Sequence, residues 1–82
     1  MKHTRTSSKR NDIGPFIRKI RQAAKPPVSQ EDLSGRLARQ EIMLDRSAIS
    51  RIENQDRCVL DYEAKAIAAS LHVKLTALYG ES

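Results

Sequence analysis

The sequence predicts an all-α fold. Apolar residues recur at helical spacing in two clear stretches: Ile13, Phe16, Ile17, Ile20 and Ala24, then Ala64, Ile67, Ala68 and Leu71. Between them, Ser29 and Asp45 each stand just ahead of helix-forming residues, where a short polar side chain accepts a hydrogen bond from the backbone of the first turn. No segment alternates β-branched and polar residues with a period of two, so no strand competes.

The elements follow in order. Residues 1–12 are basic and polar (Lys2, Arg5, Lys9, Arg10) and read as a flexible N-terminal arm, either solubilising or touching nucleic acid. The folded domain is expected over 13–80. The first helix opens at Gly14-Pro15, since proline suits the first helical turn, and stops at Lys25-Pro26-Pro27. Ser29 caps the second. Asp32 three positions on makes a weak capping-box variant, and Glu31 and Asp32 complement the helix dipole. Leu33 and Leu37 are one turn apart and face inward. The end of this helix is ambiguous, because the segment Arg39 to Leu44 must also contain a turn; Met43 and Leu44 are expected to pack beneath it.

Asp45 caps the third helix, Arg46 to about Asn54. At 100° per residue, Arg46, Ser47, Ser50, Arg51 and Asn54 share an arc of about 140°, opposite Ala48, Ile49, Ile52 and Glu53. Asp61 is read as the cap of the fourth helix. A fifth short helix covers about Leu75 to Tyr79 and ends at Gly80.

Composition removes most function classes. The chain has 82 residues, which is one small domain, and 39% of them are hydrophobic, enough for a modest core. No apolar run approaches the roughly 18 residues of a membrane span. The sequence MKHTRTSSKRND has no apolar stretch that would make it a secretory leader. The only cysteine, Cys58, rules out an intrachain disulfide and suits a reducing cytoplasm. The histidines, His3 and His72, do not form a zinc pattern, and the three glycines cannot build a phosphate loop. No catalytic constellation appears, so an enzyme, a cofactor and a metal site are not expected. Phe16, Tyr62 and Tyr79 fall mostly in core phase, leaving no stacking platform for RNA. The net charge of +5 instead favours a polyanionic partner.

Two short helices, the second with a polar, arginine-bearing face, form the pattern of a helix-turn-helix. The run Ser29-Gln30-Glu31-Asp32-Leu33, then Ser47-Ala48-Ile49-Ser50-Arg51-Ile52-Glu53-Asn54, resembles the phage-repressor and Cro-like (Xre) helix-turn-helix family. Asp61-Tyr62-Glu63, Ala66-Ile67-Ala68 and Leu71-His72-Val73 extend the resemblance over about residues 13–80. It implies a five-helix, lambda-repressor-like domain that binds double-stranded DNA in a sequence-specific way, as a homodimer on a palindromic operator. Transcriptional regulation follows, by promoter occlusion if the protein represses.

The resemblance places base reading on Arg46, Ser47, Ser50 and Arg51. Ser29 and Gln30 match phosphate contacts at the start of the second helix, and Asn54 and Arg57 those after the third. Arg21 and Glu53 match an ion pair that fixes the reading helix. Read from the residues alone, Arg46 and Arg51 could be ordinary solvated arginines and Glu53 an exposed helix-end acid. Two departures stand out. The Ser29–Glu53 segment is longer than the family's usual spacing, with the extra residues around Ala38 to Met43, and Lys25-Pro26-Pro27 lengthens the first connection. Leu75, Leu78 and Tyr79 are core and end-cap residues, with part of this C-terminal region available for dimerisation. The rival reading is a protein-interaction module, such as an antitoxin or bridging factor, on the same fold.

Overall fold

The structure, a computed structural model, describes residues 8–81. Lys2 and Arg5, with the rest of residues 1–7, lie outside them. The described chain is all-helical with no strand: α1 (Gly14–Ala23), α2 (Gln30–Ala38), α3 (Arg46–Glu53), α4 (Asp61–Ser70) and a short 3₁₀ helix (Leu75–Tyr79). No described helix is long and apolar enough to cross a membrane.

The core is built from the stripes that the spacing marks. Ile17, Leu33, Leu37, Ile49, Ile52, Ile67 and Leu78 are all completely buried. Each contributes roughly 1.5–3 kcal/mol relative to an exposed side chain. The third helix packs against both α1 and α2. On the other side, α4 packs on α2, and the 3₁₀ helix packs on α4 and α1. Phe16 is only half buried, with its ring lying against Gly80.

The N-termini of α2 and α3 carry the capping bonds that their sequences announce. Ser29 Oγ accepts from the Asp32 N–H at 2.9 Å, and Asp32 Oδ2 accepts from the Ser29 N–H at 3.2 Å. Those bonds, first from the Ser29 backbone and then from its hydroxyl, hold the Asp32 carboxyl below the usual range. Asp45 Oδ1 accepts from the Ala48 N–H at 2.8 Å. The start of α4 differs from expectation. Leu60 is the capping position and Asp61 the first helical residue, because Glu63 reaches back to accept the Leu60 N–H at 3.0 Å.

Residues 39–45 form the connection from α2 to α3, so the extra length lies in the turn and not in the helix. Ser34 Oγ donates to the Leu44 carbonyl at 2.7 Å, and the Ile42 N–H donates to Leu37 O at 3.0 Å. Leu44 is buried and Ile42 half buried. Met43, between them, points outward and is 81% exposed, so it does not pack beneath the turn.

The first ordered contacts begin before Ile13. The Arg10 N–H donates to Gln55 O at 2.9 Å, and Asn11 is buried. The last residues assigned to the arm are therefore packed against the segment that follows α3.

All three of α2, α3 and α4 end in the same way. A residue with positive φ follows each: Glu41 (62°), Gln55 (64°) and His72 (59°). In each, two backbone bonds close the end of the helix. Past α4, the Val73 N–H reaches Ala68 O at 3.0 Å and the His72 N–H reaches Ala69 O at 3.2 Å. This is a Schellman cap, and glycine fits its left-handed position best. Here glycine stands only at the fourth such site, Gly80. A side chain in that conformation costs roughly 1–2 kcal/mol, part of which glycine loses again to its freedom in the unfolded chain. His72→Gly and Glu41→Gly are each expected to stabilise the domain by about 0.5–1 kcal/mol, read as a raised denaturant midpoint with unchanged slope.

Candidate nucleic-acid interface

The polar side of α3 is held out by what lies beneath it. Ile49 and Ile52 are sealed into the core, while Arg46, Ser47 and Arg51 are exposed and Ser50 is half buried. These four line one shallow depression. Arg46 Nη1 lies 3.7 Å from Glu31 Oε1, with the two side chains 70% and 76% exposed. At that separation in water the pair is worth roughly 0–1 kcal/mol and leaves Arg46 free to swing. Among the described residues, the Arg51 side chain has no hydrogen-bond or ion-pair partner.

At the C-terminal end of α3, Glu53 is buried in an ion pair. Arg21 Nε donates to Glu53 Oε2 at 2.8 Å and Arg21 Nη2 donates to Oε1 at 2.9 Å. Arg21 Nη1 donates to Val28 O at 2.9 Å, and Gln30 Nε2 donates to Glu53 Oε1 at 3.0 Å. The pair is bidentate, with side chains 10% and 2% exposed. It joins α1, the start of α2 and the end of α3, so the angle of α3 is set by directional bonds as well as by packing.

The other end of α1 is clamped to the same place. Asn11 Oδ1 accepts from the Gly14 N–H at 2.8 Å, two residues ahead of the N-cap Ile13. Asn11 Nδ2 donates to Ile52 O at 3.0 Å and Arg57 O at 2.8 Å. Gln55 Nε2 donates back to Asn11 O at 3.0 Å. Asn11 is a positioning residue that the sequence reading left in the arm. Unlike Ser29 and Asp45, it does not stand immediately before its helix, so cap spacing gives no signal for it.

The four side chains expected at phosphates divide. Ser29 caps α2, Gln30 donates inward to Glu53, and only Asn54 among the four extends into solvent without a partner. Arg57 turns toward α4: its Nη1 donates to Glu63 Oε1 at 3.0 Å and Cys58 O at 2.9 Å, and its Nη2 donates to Glu63 Oε2 at 3.2 Å. Gln30 and Arg57 are thus braces within the protein rather than free contacts. Each has a buried carboxylate nearby that competes for its donors.

No family model, curated protein or solved structure matches this chain.

Burial pushes the Glu63 carboxyl up, but the Arg57 hydrogen bonds, the Leu60 N–H and the Arg57 charge together outweigh it and hold it below its ordinary value. The same bond raises the Arg57 guanidinium. A carboxyl lowered in the folded state stabilises fully above its unfolded value and loses that contribution as pH falls through the folded value. Glu63→Gln is therefore expected to cost on the order of 1–2 kcal/mol at neutral pH and almost nothing at a pH where Glu63 is already protonated. Denaturation at the two pH values checks this. Cys58 is exposed and free. Among the described residues, no three His, Cys, Asp or Glu side chains are gathered to hold a metal ion.

Proposed function

We propose that the domain is a helix-turn-helix protein that binds specific sequences of double-stranded DNA. In this reading α2 lies across the backbone and α3 enters the major groove, which admits one α-helix. One observation carries it: the exposed side of α3 holds two arginines and two serines, while its inner side is fixed by Ile49, Ile52 and the Arg21–Glu53–Gln30 bonds. A groove-reading helix needs both halves of that arrangement. Donors must reach base edges, and the backbone behind them must not move. The net charge of +5 supplies attraction to any duplex, and the α3 side chains supply the choice among sequences. Regulation by promoter occlusion is the activity such binding supports, with a homodimer formed through Leu75 and Tyr79, both exposed, on a palindromic operator.

Selection from a random duplex library at low and physiological salt tests this. An enriched inverted repeat that survives physiological salt is expected. Binding that vanishes with salt, with no enriched sequence, would refute the proposal. On the enriched site, Arg51→Ala is expected to cost about 1–3 kcal/mol, with little change on random duplex; titration of both duplexes checks it.

A second reading, a protein-interaction module, is favoured by the exposed Leu60, Tyr62, Leu75 and Tyr79 on and around α4. A stoichiometric partner protein that co-purifies with the chain and masks these residues would support it.

A further inference from the structure

We infer that the sequence this domain selects is defined by two guanines in each half-site, one read by Arg46 and one by Arg51. The inference rests on the DNA-binding reading and adds to it the identity of the bases.

The side chains available at the exposed α3 surface are Arg46, Ser47, Ser50 and Arg51. Bidentate recognition of adenine needs Asn or Gln, the thymine methyl group needs an apolar side chain, and the cytosine amino group needs a carboxylate. None of these stands among the four. Of the carboxylates beside them, Glu31 faces Arg46 and Asp45 accepts from the Ala48 N–H. Asn54 is the C-cap of α3 and does not line the depression that the four share. Serine bonds to any base and discriminates little. What remains is arginine, whose forked guanidinium matches the O6 and N7 acceptors of guanine.

Two further observations leave both arginines available to a ligand. Arg46 occupies the first position of α3, where the helix dipole and free N–H groups disfavour a cation. Among the described residues, its only ion-pair partner is the loose contact to Glu31. It is placed at the end of the helix that meets the base edges, against the preference of the helix itself. Arg51 is five residues further on, in the last turn of α3, and among the described residues its side chain has no internal acceptor. The two are separated along the axis by about 7.5 Å, or about two base-pair steps of 3.4 Å. With the reach of the side chains added, both guanines fall within about four base pairs.

The test uses the enriched duplex with 7-deazaguanine at one position at a time. This base keeps Watson–Crick pairing and loses only the N7 acceptor. Arg46 and Arg51 are exposed, so alanine variants should fold, which circular dichroism checks. For the wild-type chain, replacement at either of two guanines should weaken binding by about tenfold or more. Arg51→Ala should be indifferent to replacement at one of them and Arg46→Ala to replacement at the other. A site whose guanines can all be replaced without loss would overturn the inference and put the arginines on phosphates. So would a loss that persists in both variants. Failure to enrich any sequence overturns the DNA-binding reading itself, which separates the two failures.

Discussion

Glu53→Ala is expected to lower the unfolding free energy by about 3–5 kcal/mol, a large share of the stability of so small a domain. The loss comes from what is left behind. Arg21 would keep a buried guanidinium with a single bond to Val28 O, and the Gln30 amide would lose its acceptor. A buried charge without its partner is far more costly than the pair was favourable. Replacing both residues should therefore be milder than replacing one: Arg21→Met with Glu53→Leu leaves no ion in the core. Urea denaturation of the single and double variants decides the matter. A Glu53→Ala midpoint within the range of surface substitutions would mean that water reaches Arg21 and the bonds are not directing α3.

Gly14→Ala is the second large effect, on the order of 3 kcal/mol and destabilising. Helix propensity alone predicts the opposite sign, since alanine is favoured over glycine inside a helix by roughly 1 kcal/mol. The reason is the closeness of two backbones. A Cβ on Gly14 would overlap the carbonyl oxygen of Ile52, and it would come to 3.0 Å from Glu53 O and 3.1 Å from Asn11 Oδ1. The first two are backbone atoms, and Asn11 Oδ1 ends a buried side chain held by its own hydrogen bonds. The first turn of α1 would have to lift from the end of α3, breaking the Asn11 bonds with it. The measured midpoint should fall, and Arg10 and Asn11 amides should exchange faster with solvent. Gly35, with open space where its Cβ would go, is the internal control: Gly35→Ala should stabilise by up to about 1 kcal/mol.

Much of this was legible in the sequence because it depends on neighbours along the chain. The caps at Ser29 and Asp45, the inward Leu33 and Leu37, and the opposed sides of α3 all follow from spacing within one or two turns. What was not legible depends on which atom lies nearest in space. The donors of Gln30 and Arg57 look free in a linear reading, yet each meets a carboxylate brought from another element. Met43 and Leu44 are adjacent and similarly apolar. Only the Ser34 bond to Leu44 O and the Ile42 bond to Leu37 decide which of them turns inward. Asn11 is an intermediate case. It lies beside α1 in sequence, but its amide donates to Ile52 O and Arg57 O, which only the fold brings near.

The left-handed caps at Glu41, Gln55 and His72 have an evolutionary consequence. Those at Glu41 and His72 hold back stability that one substitution could release, whereas the Gln55 side chain also bonds Asn11 O; Glu41 becomes glycine by a single-nucleotide change. His72 follows α4, outside α3, so a gain there does not alter the exposed side chains of α3. A lineage that changes Ser47, Ser50 or Arg51 can thus recover lost stability at an unrelated helix end. The domain carries its compensating mutations in waiting, and the exposed side of α3 is correspondingly free to diverge.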